Sequence, residues 1–284
     1  MIILDLNQVM ISNFMAQIGN HTDVKIDESL FRHMVLNSIR SLKSRFKEYG
    51  DLIIACDDKN VWRKQVFPQY KANRKKDRET SEIDWSNIFN ILNKVRNELK
   101  EVSPYRVIQV DHAEADDIIG TLVHKFGNML NTGDKILILS GDKDFAQLHI
   151  YGNVSQYDPV RKKFITHSNP VMFTRELILK GDRGDGIPNI LSNDDCIVNG
   201  ERQKKMFVNK YIHIANPREH FKDDLLKNWL RNETLIDLTY VPQNIQEKIL
   251  FEYEKQANRP SDKLELYFAK HNLKTLAEKI EDFL

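Results

Sequence analysis

The chain has 284 residues, 41% of them hydrophobic, enough to bury a sizeable core in one large domain or two smaller ones. No apolar run approaches the ~20 residues of a membrane span, MIILDL opens the chain without a signal-peptide pattern, and Cys56 and Cys196 have no CxxC context. A soluble, cytoplasmic protein without a disulfide framework or a zinc site is therefore expected.

Ile2 to Leu4 is a short apolar run ending at Asp5, and it reads as the first strand. Leu30, Phe31, Met34, Val35, Ile39, Leu42 and Phe46 form one helical stripe, with Gly50 as a stop. Leu52 to Cys56 predicts a second strand, ending at Asp57, with Cys56 as a small buried residue. The net charge, 42 basic residues against 41 acidic, is only +1, yet from Lys59 to Arg78 eight basic residues stand against one acid, Asp77. Such segregation creates a local field that the total conceals. Ile88, Ile91, Leu92, Val95 and Leu99 mark the next helix, ended before Pro104, and YRVIQV is a third strand ending at Asp111.

In HAEADDIIG, residues 112 to 120, three carboxylates fall within four positions: Glu114, Asp116 and Asp117. Ala115, Ile118, Ile119, Leu122, Val123 and Phe126 continue with helical period, so these acids crowd a helix start. A first turn welcomes acids, because its exposed N–H groups and the macrodipole favour negative charge. KILIL, Lys135 to Leu139, is a fourth strand, followed by SGDKDFAQL. VSQYDPVRKKFITH reads as a β-hairpin with Asp158-Pro159 at its turn. Helix patterns dominate from there, as at Phe221, Leu225, Leu226, Trp229 and Leu230, and again at Ile245, Ile249, Leu250 and Tyr253. GDRGDGIP, Gly181 to Pro188, marks a boundary.

Strands alternating with helices predict an α/β fold, with a mainly parallel central sheet covered by helices on both faces. In such sheets ligands bind beyond the carboxyl ends of the strands. Asp5, Asp57, the Glu114 cluster and Asp142 each follow a strand, so four segments deliver carboxylates to one edge.

The candidate acids are Asp5, Asp57, Glu114, Asp116, Asp117, Asp142, Asp144, Asp182 and Asp185. Taken singly, Asp116 and Asp117 suit a helix start, Asp142 and Asp144 a turn, and Asp182 and Asp185 a cap or turn. Recurrence at successive strand ends favours a shared site instead. Converging acids cannot all stay ionised without cations, and oxygen-only ligands select hard ions such as Mg²⁺ or Mn²⁺. Two ions about 4 Å apart stabilise both the attacking and the leaving oxygen of a phosphodiester displacement. Asp117 is the weakest of the set, because the core stripe turns it away. Trp62, Phe67 and Tyr70, among the positive charges of the basic segment, suit phosphate neutralisation with base stacking; a solvated loop is the alternative. With the nine acids set aside, 42 basic residues face 32 acidic ones, a balance of +10. The nine histidines show no ligand spacing and read as surface or core residues.

The combination of QYKANR, AEADD, SGDKDFAQL and GDRGDGIP, together with NETLIDLTYVPQNI from Asn232 to Ile245, resembles the structure-specific 5′ nuclease family. These are the flap endonucleases and 5′→3′ exonucleases, and the likeness is strongest to their T-even-type bacteriophage branch. It runs over essentially the entire chain. It implies a PIN-like nuclease domain over residues 1–180, with an arch or clamp at about 69–86 that is often mobile without DNA, and a helical DNA-binding region over 181–284. A first metal cluster of Asp5, Asp57, Glu114, Asp116 and Asp142 is implied, and a second of Asp117, Asp144, Asp182 and Asp185, with some sharing. Lys71 and Arg74 match basic residues that approach the scissile phosphate, Tyr70 matches an aromatic that stacks on a terminal base, and Lys75 and Lys76 join the nucleic-acid contacts.

The family's glycine-rich hairpin after GDxxDxIP, which grips duplex DNA through backbone amides and a monovalent cation, is replaced here by NILSNDDCIVNGERQKKMF. Arg202, Lys204 and Lys205 are candidates for another phosphate grip; a solvated helix face is the alternative for Lys204 and Lys205. The implied activity is that of a Mg²⁺-dependent 5′→3′ nuclease, using two ions for which Mn²⁺ can substitute, that removes RNA primers and short 5′ DNA ends or flaps. A small PIN-like ribonuclease and a catalytically inactive junction-binding protein are the rivals. Implied partners are forked, flap or nicked DNA, RNA–DNA hybrid, single-strand-binding protein and a sliding clamp. A monomer without membrane attachment, phage-encoded and working in the host cytoplasm, is expected.

Overall fold

The structure, a computed structural model, describes residues 1–19, 27–81, 83–127 and 134–284. Among the described residues six strands form one sheet: β1 (Ile2–Asp5), β2 (Leu52–Ala55), β3 (Arg106–Ile108), β4 (Ile136–Leu139), β5 (Val154–Asp158) and β6 (Lys163–Ile165). They lie in the order β3-β2-β1-β4-β5-β6. Every pairing is parallel except β5 with β6, which is the hairpin around Asp158-Pro159. Its turn is tied by Asp158 Oδ1, which accepts from the Val160 and Arg161 amides at 2.9 and 3.0 Å.

β1, β2 and β4 are buried at every residue, as continuous apolar strands covered on both faces must be. Ile2, Leu4, Leu52, Ile54, Leu137 and Leu139 face one core, shared with helices Leu6–Ile18, Glu28–Arg45, Trp85–Val102 and Asp262–Lys270. Ile3, Ile53, Ala55, Ile108, Ile136 and Ile138 face the other, packed on helices Ala115–Gly127 and Gln243–Lys255. Both cores therefore take residues from beyond Gly181. A third cluster joins Val61, Phe67 and Tyr70 to Leu177, Ile178, Phe221 and Trp229. No helix among the described residues is long and apolar enough to cross a membrane.

Two local departures from the sequence pattern are physical. The third strand stops at Ile108 because the chain turns at Val110–Ala113, where the Ala113 amide bonds the Val110 carbonyl at 3.0 Å and His112 takes φ +69°. Helix Leu6–Ile18 follows β1 without a loop. Its apolar residues spread around the axis and leave no clear stripe, so its signal is the cap: Asp5 Oδ1 accepts from the Gln8 amide at 3.2 Å.

Candidate active site

Parallel register aligns the strand ends. Asp5 pairs with Ala55, Leu4 with Leu139 and Ala55 with Ile108, so the segments that follow leave the sheet along one edge. That brings acids distant in sequence together in two groups.

In the first group, Asp5 accepts from Gln8 and, through Oδ2, from Ser140 Oγ at 3.1 Å. Asp57 accepts from the Ala115 amide at 2.6 Å and from Asn7 Nδ2. Glu114 is 5% exposed; its Oε1 meets Lys71 Nζ at 2.6 Å, and its Oε2 accepts from Tyr70 Oη at 2.9 Å and Arg63 Nη1 at 3.0 Å. Burial, then the charges of Asp57 and Asp142, push the Asp5 carboxyl up to about 7. Burial, then Asp142, Glu114 and Asp5, drive Asp116 well above the usual range. Burial also works against ionisation of Glu114, but Lys71 and Arg63 outweigh it and hold that carboxyl below its ordinary value.

Asp142 adjoins both groups, acting on Asp5 and Asp116 as well as Asp144, and caps the 3-10 helix Lys143–Ile150, its Oδ1 accepting from the Asp144 amide at 2.9 Å. Asp144 is pushed up to about 7 by burial and by Asp142 and Asp182. Asp182 Oδ1 accepts from the Gly184 and Asp185 amides at 2.8 and 3.2 Å, and its Oδ2 meets Lys143 Nζ at 2.5 Å. Burial opposes the charge on Asp182, yet Lys143 pulls its carboxyl below the usual value. Asp185 meets Arg74 at 2.5 Å and Lys71 at 3.7 Å. Asp116, Asp144, Asp182 and Asp185 line one pocket with Arg63 and Tyr70, walled by Ile187, Leu235, Ile236 and Leu238.

Among the described residues no three acids stand in ready ion-holding geometry; Lys71, Arg74 and Lys143 lie against Glu114, Asp185 and Asp182 instead. These cations leave acids unmet: Asp5, Asp116 and Asp144 are raised by burial first and by neighbouring carboxylates second, and the buried Asp144 Oδ1 has no hydrogen-bond partner. An all-oxygen donor set with an unmet acceptor fits a hard divalent cation. A carboxyl raised on folding favours the fold fully below its unfolded value near 3.8, and that contribution is lost as pH rises through its folded value, here about 7 for Asp5 and Asp144. The metal-free protein is thus expected to lose stability from about pH 5 to 8, and Mg²⁺ or Mn²⁺ to raise Tm by several degrees more at the upper end, since a tenfold change in a carboxyl's proton affinity on folding is worth about 1.4 kcal/mol. Thermal denaturation with EDTA and with metal at both pH values measures it; an equal metal-induced rise at both would contradict it.

Several expected site residues stand elsewhere. Asp117 is fully buried and faces the core: its Oδ1 pairs with Arg63 at 2.7 Å, and its Oδ2 accepts from Trp62 Nε1 at 3.1 Å and the Glu114 amide at 2.8 Å. It braces Glu114 rather than joining the second group. Trp62, Phe67 and Tyr70 are core residues, 5%, 4% and 2% exposed, so none offers a ring face to a base here. The start of segment 69–86, the expected arch, folds as helix Ala72–Glu79, where Asn73 and Arg74 reach the Arg183 and Gly184 carbonyls at 3.1 Å. Gly186 permits that approach, since at φ +73° an added Cβ would lie 2.7 Å from the Gln69 carbonyl oxygen. Lys71 takes φ +55°, a conformation that costs a non-glycine residue roughly 1–2 kcal/mol, and its amide bonds the Asp185 carbonyl at 2.7 Å. The side chains of Lys75 and Lys76 lie outside the described residues. Arg202, Lys204 and Lys205 are exposed on a strap that is neither helix nor strand, so the helix-face alternative falls. The strap is pinned by Asn189 Nδ2 to the Lys204 carbonyl at 2.8 Å and by the Lys204 amide to Ser192 Oγ at 2.9 Å.

Sequence reasoning misses Asn7, Ser140 and Lys143, polar residues beside strand-end acids, and Arg63, which is hidden in a basic run. Proximity in sequence to Asp5 and Asp142 is the signal that would have found the first three.

Residues 1–177 match the family described as 5′-3′ exonuclease, N-terminal resolvase-like domain, and residues 169–283 match T4 RNase H, C terminal. The ribonuclease H of Enterobacteria phage T4 is 36% identical over 99% of this chain and 95% of its own length. A flap endonuclease Xni of Shewanella woodyi is 31% identical over 49% of this chain and 53% of its own. Among solved structures, the bacteriophage T5 D15 flap endonuclease in a complex with DNA and metal ions covers 90% of this chain and 98% of that chain, with a TM-score of 0.64 and 18% identity, a likeness of fold. The match over residues 1–177 and the relative that spans nearly the whole length agree, and the chain belongs to the 5′-3′ exonuclease family of nucleases.

Proposed function

We propose that the protein is a divalent-metal-dependent 5′→3′ nuclease with flap endonuclease and ribonuclease H activity. It removes RNA primers and short 5′ DNA ends during DNA replication, using two Mg²⁺ ions for which Mn²⁺ substitutes. The observation that carries the reading is geometric: the ends of β1, β2 and β4 bring their acids to one sheet edge, Asp116, Asp144, Asp182 and Asp185 line one pocket, and the buried Asp144 Oδ1 has no hydrogen-bond partner. Asp5, Asp57, Glu114, Asp116 and Asp142 would hold one ion and Asp144, Asp182 and Asp185 the other, with Asp142 shared. Bound there, the ions supply charge stabilisation to the phosphodiester under attack and lower the pKa of water.

The chain's own residues do the rest. Ser140, Asn7 and the Ala115 amide fix the Asp5 and Asp57 carboxylates, so these acids need little reordering to engage cations. Lys71 and Arg74, held at Glu114 and Asp185, place positive charge where a scissile phosphate enters. Residues 1–180 act as the nuclease domain and 181–284 as the DNA-binding region, whose first loop also lends Asp182 and Asp185 to the acids; the substrate is a forked, flap or nicked duplex or an RNA–DNA hybrid. We read it as a monomer working in the host cytoplasm beside single-strand-binding protein and a sliding clamp; the phage setting alone is supported by the likeness to a phage relative.

A panel of 5′-labelled nicked, flap, fork and RNA–DNA substrates tests the reading. Short labelled products at or near the 5′ end are expected; degradation from the 3′ end alone would sink it. The strap is tested separately. If Arg202, Lys204 and Lys205 grip duplex phosphates, replacing all three by alanine lowers the log–log salt slope of binding by about 0.9 for each lost contact, roughly two to three in all. An unchanged slope would leave them as surface charges.

A further inference from the structure

The end of helix Asp223–Ile236 and the turn after it wall the acidic pocket through Leu235, Ile236 and Leu238. Two buried polar side chains join this wall to the acids. Arg63, 2% exposed, donates from Nε to the Leu235 carbonyl at 2.9 Å, while its Nη1 lies 3.0 Å from Glu114 Oε2 and 2.7 Å from Asp117 Oδ1. Gln147, 6% exposed, donates from Nε2 to the Asp144 carbonyl at 2.7 Å and the Ile236 carbonyl at 3.2 Å. Its Oε1 accepts from the Leu238 amide at 2.9 Å. An apolar side chain of the same size would take the partner from the buried Ile236 carbonyl and Leu238 amide, at the cost of their desolvation. Both ends of this amide are thus committed to the junction between the acid-bearing turn and the C-terminal region.

We infer that Leu235–Leu238 is a positioning element of the catalytic centre, acting on Glu114 through Arg63 and on the Asp142–Asp144 turn through Gln147; this rests on the reading of those acids as catalytic. Neither Arg63 nor Gln147 is called on to touch substrate. They fix where the carboxylates stand relative to the helical region that holds the duplex, so DNA bound by that region is registered on the acids. Productive geometry tolerates errors of only about 0.5 Å, and one hydrogen-bonded amide between the two parts sets it more sharply than apolar contact does.

The test is Gln147→Leu in the full chain, with single-turnover cleavage of a 5′ flap at saturating enzyme, flap binding in Ca²⁺, direct Mn²⁺ binding by calorimetry, and Tm. Expected is a fall of about 10–100-fold in the single-turnover rate and in Mn²⁺ affinity, the range for partners that orient metal-binding side chains, with flap affinity within about threefold of wild type. A rate and a Mn²⁺ affinity that stay at wild-type levels while Tm alone drops would overturn the inference and leave Gln147 as packing. Should the leucine variant fail to fold, Gln147→Met is read in its place: it keeps the length, removes the hydrogen-bonding amide and adds no charge beside the acids, and the same split is required of it. A wild-type protein that binds flaps and cleaves none fails the nuclease reading instead, and the Mn²⁺ affinities then decide on Gln147 alone.

Discussion

Asp142→Asn is expected to reduce Mg²⁺-dependent cleavage by at least about 10³-fold, because a cation's stabilisation of the developing charge is worth several kcal/mol and each ~1.4 kcal/mol is tenfold in rate. The fold should survive. Asparagine keeps the volume and the Oδ1 that accepts from the Asp144 amide at 2.9 Å, so the cap of the 3-10 helix Lys143–Ile150 is retained. What is lost is one negative charge at the point shared by Asp5, Asp116 and Asp144. Binding to forked DNA in Ca²⁺ should persist, and substantial cleavage by the purified variant would remove Asp142 from the catalytic set.

Lys71→Ala should lower the single-turnover rate at saturating enzyme by about 10²–10³-fold, the range for a preorganised group that meets charge developing in the transition state. The Kd for DNA in Ca²⁺ should change only a few-fold, since many other basic residues share the diffuse attraction for the backbone. The structure adds a second route to the same loss. Lys71 Nζ lies 2.6 Å from Glu114 Oε1 and is the largest influence holding that carboxyl ionised against its burial, so its removal also weakens a proposed ligand. If binding collapsed while the saturated rate held, Lys71 would be a docking residue and not a catalytic one.

Much of this site is legible in the sequence because a buried parallel strand ends where its apolar run ends, and the residue after it must lie at the sheet's edge. Asp5 and Asp57 follow from that alone, and Asp142 comes soon after, behind Ser140 and Gly141. Asp182 and Asp185 do not; they come from a loop whose docking depends on Gly186 and on the Lys71 turn, a contact between segments more than a hundred residues apart. The direction of a side chain is harder still. Asp116 and Asp117 are neighbours in one helical turn, yet one faces the acids and the other is claimed by Arg63 and Trp62. Tyr70 reads as a stacking ring amid positive charge, but Leu177, Ile178, Phe221 and Trp229 supply the apolar cluster that covers it. Gln147 carries no local signal at all, since its three partners are backbone groups, two of them brought in by the C-terminal region.

A 5′-labelled flap duplex incubated with the purified chain separates a metal-dependent nuclease from a junction binder most directly. Short labelled products in Mg²⁺ or Mn²⁺, none in EDTA, and a retarded but intact duplex in Ca²⁺ are the predicted results. Retardation of an intact duplex in Mg²⁺ and Mn²⁺, or cleavage that EDTA leaves untouched, would contradict a divalent-metal nuclease built on these carboxylates.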